Sequence, residues 1–254
     1  MPLPRALLFD LDDTLAESFE LPTPEIIERV MRMLDQVPVA IITGRDFPWM
    51  ERSFLPALTL APHVDRFFLF PEGAAQCLQW NGTTWKDWYA KSITPEERER
   101  IRKAVETSVR ETNVLDGLAI SGAQFVQKRA MVAFAALGVE VPGNLKYSWD
   151  PDNARRRALR DAIAAKLPEF DVLMGGATSI DVTEKGINKS YGVRWLSEHL
   201  RIPASEMLYI GDALFPGGND EVVKQTGIQT QATKGPSETA VIIDSLLAQY
   251  QAAK

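Results

Sequence analysis

The stretch Leu7-Leu8-Phe9-Asp10-Leu11-Asp12-Asp13-Thr14 constrains the fold more than any other part of the chain. Three unbroken apolar residues run into three carboxylates within four positions, the pattern of a buried strand that delivers acid groups to an edge of the fold. Carboxylates crowded in this way repel one another, and protonation, exposure to water or a bound cation relieves them. Side chains two apart on an extended segment share a face, so Asp10 and Asp12 can serve one reacting centre, one as nucleophile and the other as general acid and base. Solvated loop acids, or an aspartate capping the next helix, read equally well from this stretch alone.

The chain that follows supplies a frame. Thr23-Pro24-Glu25 has a capping hydroxyl, a proline suited to the first helical position and an acid in the first turn. Ile26, Ile27, Val30, Met33 and Leu34 then recur at helical spacing. After Pro38, Val39-Ala40-Ile41-Ile42 reads as a second buried strand ending at Thr43-Gly44-Arg45. This is a βαβ unit, which predicts a parallel sheet with sites at the carboxyl ends of its strands, where Asp10 and Thr43 fall. A helix is predicted over 46–57 and a strand over 66–70. Asn81-Gly82 joins two strand-like runs, 75–80 and 83–85, as a hairpin that marks the exit from the first domain.

From 86 to 183 the order of elements changes. Thr94-Pro95-Glu96-Glu97 opens a helix with a capping box, striped by Ile101, Val105 and Val109. Short strands are predicted over 124–128 and 131–137. The scheme then repeats, with a helix opened by Asp150-Pro151 and running through Leu167, and strands over 170–174 and 179–182. Two αββ units in succession predict an α+β module inserted into the first domain. Helical and strand patterns then alternate again: helix 188–200, strand 207–210, short helix 219–226 and a last helix over 236–250. The expected organisation is an α/β core domain of residues 1–85 and 184–254, with residues 86–183 as the insert.

Further residues carry chemistry. Thr43-Gly44-Arg45 offers a hydroxyl and backbone N–H groups that suit a phosphate oxygen, although these are turn residues too. Lys189 sits near a helix start, where the dipole disfavours a cation, which is more easily understood if a carboxylate or anion faces it; a solvated surface lysine is the commoner case for a lone Lys. Gly211-Asp212-Ala213-Leu214-Phe215-Pro216-Gly217-Gly218-Asn219-Asp220 returns a second aspartate after a buried strand, completing an oxygen-rich site for a hard cation such as Mg²⁺.

At 254 residues and 45% hydrophobic content the chain can build a large core. A formal charge of −6 argues against nucleic acid or an anionic membrane as the main partner, while a small anionic substrate remains compatible through a local basic pocket and a cation. Cys77 is the sole cysteine, which excludes a disulfide framework and a cysteine-built zinc site. No apolar run approaches the ~20 residues that span a bilayer. The start Met1-Pro2-Leu3-Pro4-Arg5 has no signal-peptide pattern, so a cytoplasmic location is expected.

Taken in order, Asp10-Leu11-Asp12-Asp13-Thr14, Thr43, Lys189 and Gly211-Asp212 with Asn219-Asp220 resemble the four motifs of the haloacid dehalogenase superfamily of phosphotransferases. The insertion point resembles that of a type IIB (C2B) cap. Within that branch the chain is similar to eukaryotic-type phosphomannomutases and sugar-phosphate phosphatases, through Phe70-Pro71-Glu72-Gly73, Ser179-Ile180-Asp181-Val182 and Phe215-Pro216-Gly217-Gly218-Asn219-Asp220. The resemblance implies a Rossmann-like parallel-sheet core whose cap chooses the substrate. Asp10 would form an aspartyl phosphate, and Asp12 would protonate the leaving oxygen and then activate water. Mg²⁺ would be held by Asp10, the backbone carbonyl of Asp12 and Asp212, with Asn219 and Asp220 behind them. Thr43 and Lys189 would bind the phosphoryl oxygens, with Gly44 and Arg45 beside them. The resemblance also places Arg129, Ser179 and Asp181 at substrate-contacting positions of the cap. Arg129 reads equally as a surface arginine; Arg155-Arg156-Arg157 reads as a solvated helix face, and Trp80, Trp85 and Trp88 read as packing at the hairpin in preference to a surface that stacks on a sugar ring.

A phosphatase admits water to the aspartyl phosphate, whereas a mutase excludes it and holds a second phosphate. The mutases use a cap arginine in a Ser-Pro-Ile-Gly-Arg run; the matching segment here is Phe134-Ala135-Ala136-Leu137-Gly138-Val139, which lacks it. Asp13 stands where the mutases carry glycine. These departures favour a phosphatase acting on a small phosphate ester, best represented by a sugar phosphate, with a mutase as the alternative and a non-catalytic sugar-phosphate sensor third. No Walker-type loop supports a kinase. Both monomer and homodimer remain open.

Overall fold

The computed structural model describes residues 3–18 and 20–253; the expectation drawn from Met1 and Pro2 lies outside them. By packing, the chain divides into two compact units. One comprises the chain up to Ala90, Lys189–Phe215 and the stretch from Asp220 onward; the other comprises Lys91–Asn188 and Pro216–Asn219. The last of these segments carries no sequence signal that it packs with the second unit.

The first unit contains β1 (Ala6–Phe9), α1 (Pro24–Leu34), β2 (Val39–Ile42), α2 (Phe47–Ser53), α3 (Leu55–Leu58), β3 (Phe67–Phe70), β4 (Gln76–Trp80) and β5 (Trp85–Ala90). The second contains α4 (Pro95–Thr112), β6 (Phe125–Gln127), β7 (Met131–Ala135), α5 (Gly143–Trp149), α6 (Ala154–Lys166), β8 (Phe170–Met174) and β9 (Ser179–Glu184). The chain returns to the first unit with α7 (Lys189–Leu200), β10 (Met207–Gly211), β11 (Gln229–Ala232) and α8 (Pro236–Ala252).

In the first unit the described strands form a seven-stranded sheet ordered β11-β10-β1-β2-β3-β4-β5. Pairing is parallel from β11 to β3 and antiparallel at β4 and β5. Alternate strand residues feed two cores. Leu7, Phe9, Val39, Ile41 and Ile210 pack with residues of α1 and α8, while Leu8, Ala40, Ile42 and Tyr209 pack with Val193 and Leu196 of α7. Both faces are therefore covered, which is why these strands are unbroken apolar runs. Thr23 caps α1 by accepting the Ile26 N–H. The result is the Rossmann-like α/β core expected of the sequence.

The second unit is a four-stranded antiparallel sheet, β6-β7-β9-β8. Val132, Phe134, Val172, Ile180 and Val182 pack with Ile101 and Val105 of α4 and Leu159 and Ile163 of α6. Ser179 and Asp181 alternate with Ile180 and Val182, so they take the face away from that core.

Several local expectations are corrected. The helix predicted over 46–57 is two helices broken at Phe54, because Pro56 has no N–H and its ring clashes with a helical carbonyl four residues back. The hairpin connection runs to Thr84, since the Asn81 side chain accepts the N–H groups of Thr83 and Thr84. The helix expected from Asp150 begins at Ala154; the Asp150 carboxylate instead accepts the N–H groups of Arg155 and Arg156 from outside it. Helix α5 was not anticipated: it begins with Gly-Asn and carries no clear apolar stripe. Residues Glu221–Thr226 form a 3₁₀ helix. No helix among the described residues is long and apolar enough to cross a membrane.

Candidate active site

Four adjacent strand ends build the site. Asp10 follows β1, Thr43 follows β2, Pro71-Glu72-Gly73 follows β3, and Asp212 follows β10. Backbone bonds extend the sheet one step past the strands: Asp10 N–H donates to the Ile210 carbonyl, and Thr43 N–H to that of Phe70. Glu72, Gly73 and Ala74 have φ of 52°, 67° and 74°, a left-handed run that costs about 1–2 kcal/mol at each non-glycine residue. It is held by N–H bonds from Glu72 to the Arg45 carbonyl and from Gly73 to that of Thr43.

Lys189, only 2% exposed, reaches the centre of the acid group from the first position of α7. Its Nζ lies 2.7 Å from Asp10 Oδ1 and 2.6 Å from Asp220 Oδ1. Asp220 is completely buried and both its oxygens are engaged: Oδ1 also accepts the Tyr209 hydroxyl at 2.5 Å, and Oδ2 accepts the Ala213 N–H at 3.0 Å. Gly211 permits this approach, because a Cβ there would collide with the Asp220 carboxylate. Asp212 is set by Thr14, whose hydroxyl accepts the Asp212 N–H at 3.1 Å and lies 3.5 Å from Asp212 Oδ1.

Ligand-capable oxygens of Asp10, Asp212 and Asp220 fall within 4.8 Å of one another. Lys189 pairs with Asp10 and Asp220, and with Asp212 beside them the three carboxylates leave surplus negative charge in a buried space. Burial pushes the Asp10 carboxyl well above the ordinary carboxylate range; Lys189 pulls it back, and Asp220 and Asp212 add to the rise. Asp212 is pushed up to about 7, first by burial and then by Asp220. Burial opposes the charge on Lys189, but Asp10 and Asp220 overcome it and hold the ammonium above its ordinary range. An all-oxygen set with surplus negative charge fits a hard divalent cation such as Mg²⁺. Asp10 and Asp212 are the better placed as direct ligands, since the oxygens of Asp220 are already engaged by Lys189, Tyr209 and Ala213.

The other candidates separate. Asp12 turns to Arg45, which grips both its oxygens at 3.0 and 2.6 Å and lies over the Trp49 ring. Thr43 is fully buried and its hydroxyl accepts the Arg45 N–H at 3.1 Å, with Gly44 between them. Asp13 adopts φ 56° and accepts the Ser18 N–H. Asn219 is grouped with the second unit, and its Oδ1 is buried without a hydrogen-bond partner. Arg129 is exposed in the turn between β6 and β7, while Ser179 and Asp181 lie on β9, all in the second unit. Trp80 and Trp85 pack edge to face, and Trp88 packs on Trp195 and His199. The solvated reading of Arg156 is corrected: it is 6% exposed and paired with Asp150 at 2.9 Å. Tyr209 and Thr14 were missed as site residues. A tyrosine in a strand that buries everything else must find a partner for its hydroxyl, and that was the available signal.

The haloacid dehalogenase-like hydrolase family matches residues 144–220, a segment that holds Lys189, Asp212 and Asp220. A phosphomannomutase from Spinacia oleracea is 23% identical over 219 residues, covering 84% of this chain and 83% of that protein. A probable phosphomannomutase from Caenorhabditis elegans is 23% identical over 256 residues, covering 95% of this chain and 94% of that protein. Among solved structures, an IMP-bound mutant of Plasmodium falciparum IMP-nucleotidase superposes with a TM-score of 0.75 at 18% identity, covering 96% of this chain and 67% of that one. A haloacid dehalogenase-like hydrolase from Bacteroides thetaiotaomicron gives a TM-score of 0.58 at 14% identity, covering 96% of this chain and 99% of that one.

Proposed function

We propose that this chain, a member of the haloacid dehalogenase superfamily close to the phosphomannomutases and sugar-phosphate phosphatases, is a Mg²⁺-dependent phosphatase of a small phosphorylated metabolite, best represented by a sugar phosphate. The observation that carries a phosphoryl-transfer role is the acid cluster itself: Asp10, Asp212 and Asp220 gathered about Lys189 at the ends of β1 and β10. In the proposed reaction an oxygen of Asp10 attacks phosphorus, the bond to the ester oxygen breaks, and Asp12 delivers a proton to the departing alkoxide. Asp12 then takes a proton from water as the water oxygen attacks the aspartyl phosphate, which frees inorganic phosphate and restores Asp10. Lys189 and Thr43 hold the phosphoryl oxygens, Tyr209 and the Ala213 N–H fix Asp220 behind Lys189, and Arg45 orients Asp12. The cation, when bound, neutralises charge on the transferring group.

Water is favoured over a second sugar phosphate as acceptor by the segment where the mutases carry their cap arginine. Here Ala136 is fully buried and Leu137 is 5% exposed, both in the core of the second unit. Gly138, at φ 86°, lies so close to the Ser121 carbonyl that a Cβ would collide with it. A segment built this way supplies no cation to a distal phosphate. The mutase reading is favoured by the names of the relatives. In this proposal the second unit acts as the cap, with Arg129, Ser179 and Asp181 contacting the part of the substrate that does not react. Phosphate release from p-nitrophenyl phosphate and a sugar-phosphate panel is expected with Mg²⁺, and its loss by at least about 10³-fold in Asp10→Asn. A wild-type protein inert across that panel would favour a sensor instead.

A further inference from the structure

Arg156 makes more bonds than an ion pair requires. Its Nε donates to Asp150 Oδ2 at 2.9 Å, and Nη2 donates to the Asn153 side chain. The remaining donor, Nη1, reaches out of α6 to the Gly176 carbonyl at 2.5 Å and the Gly175 carbonyl at 3.4 Å. Asp150 is fixed in turn by the N–H groups of Arg155 and Arg156. The guanidinium is thus held by the helix start and aimed at the β8–β9 turn.

That turn lies directly against two candidate substrate contacts. A Cβ on Gly175 would stand 2.5 Å from Ser179 Oγ and 2.7 Å from Asp181 Oδ2, so only glycine lets the backbone rest on these side chains. Gly175 N–H donates to the Ser179 carbonyl at 2.9 Å, and Ser179 N–H donates to the Gly176 carbonyl at 3.2 Å. The Gly176 carbonyl therefore joins Arg156 to Ser179. Two consecutive glycines have wide backbone freedom, and a turn made of them keeps one geometry only where its surroundings impose it. Arg156 supplies that constraint on one side, and the Ala136 N–H, donating to the Thr178 carbonyl at 2.9 Å, supplies it on the other.

We infer that Arg156 is a positioning residue for substrate selection, setting the Gly175–Gly176 turn and through it the Ser179 hydroxyl and Asp181 carboxylate that recognise the hydroxyl groups of a sugar phosphate. This rests on the proposed phosphatase reading and assigns the polyol part of its substrate to this turn. A hydroxyl and a carboxylate two residues apart on one strand form a donor–acceptor pair suited to neighbouring alcohols, and their value depends on spacing. Lysine in place of Arg156 keeps a charge for Asp150 but lacks the planar fork that serves Asp150 and the turn together.

The test compares kcat and KM for mannose 1-phosphate and glucose 1-phosphate with those for p-nitrophenyl phosphate, whose ring carries no alcohol. The variants are Arg156→Lys and the paired Asp150→Asn with Arg156→Met, which removes both charges of that pair together; circular dichroism and thermal melting check folding. The expected result is a KM for sugar phosphates raised by about tenfold or more, kcat within about twofold, and p-nitrophenyl phosphate unaffected. Equal changes for both classes of ester, or no change in either, would overturn the inference. Wild-type turnover of p-nitrophenyl phosphate without hydrolysis or binding of either sugar phosphate would also overturn it and leave the phosphatase standing. If wild type hydrolyses none of these esters, the phosphatase reading fails; calorimetric binding of the two sugar phosphates then decides the inference, weaker binding in Arg156→Lys upholding it and equal or absent binding ending it.

Discussion

Each unit of the protein buries an ion-pair network, and the two are built on opposite principles. In the second unit Arg156 pairs with the Asp150 carboxylate, and the other bonds of the two side chains go to the Asn153 side chain and to backbone N–H and carbonyl groups. Within that pair the charges balance one to one. In the first unit Lys189 meets Asp10 and Asp220 directly, with Asp212 close by, and the carboxylates outnumber the cation. A balanced buried pair can do no more than hold its surroundings in place, at a net stability near zero against an apolar replacement. An unbalanced one raises the proton affinity of its own acids, as burial and mutual repulsion do at Asp10 and Asp212, and invites a cation. Burial alone thus fails to tell structure from chemistry; the charge sum does.

The sharpest way to break this comparison is to remove Lys189. Lys189→Met leaves Asp10 and Asp220 buried without their partner and is expected to cost about 3–5 kcal/mol of stability together with phosphoryl transfer. Chemical denaturation with and without Mg²⁺ reads it, and a variant as stable as wild type would show that the acids need no partner. A smaller effect separates the two networks by ligand. Calorimetric titration with Mg²⁺ alone should show binding that weakens by about tenfold in Asp212→Asn and is unchanged in the paired Asp150→Asn with Arg156→Met. Equal weakening in both would mean that the cation does not belong to the surplus charge of the first unit.

The sequence made the first unit legible because its inner strands, β1, β2, β3 and β10, are buried along their whole length. Leu7-Leu8-Phe9 and Val39-Ala40-Ile41-Ile42 are apolar at every position, and the acid or hydroxyl that follows each marks the strand end. The capping box at Thr94 and Glu97 was equally plain. What stayed hidden depended on contacts distant in sequence. Arg156 stands in a run of three arginines, and only the turn of α6 decides that Arg156 goes inward while Arg155 and Arg157 stay exposed. Asp150 was recognised as a helix-start residue, but it acts from outside the first turn, so the helix began later than expected. Tyr209 reads from sequence as one more apolar strand residue, whereas in the structure its hydroxyl donates to Asp220.

Asp13 teaches a similar lesson about single substitutions. Its presence where the mutases carry glycine reads from sequence as favouring water as acceptor, yet at φ 56° the position asks for a residue that tolerates the left-handed region, and both glycine and aspartate do. The exchange follows from backbone geometry. The case for hydrolysis therefore rests on the buried Ala136-Leu137-Gly138 segment, which offers no cation to a second phosphate.

That claim is tested most directly by the fate of the phosphoryl group. The protein is incubated with Mg²⁺ and mannose 1-phosphate or glucose 1-phosphate, with and without the matching bisphosphate, and both free phosphate and the 6-phosphate isomer are measured. Hydrolysis through Asp10 predicts free phosphate in both conditions with no accumulation of isomer. Isomer formed without free phosphate would contradict it.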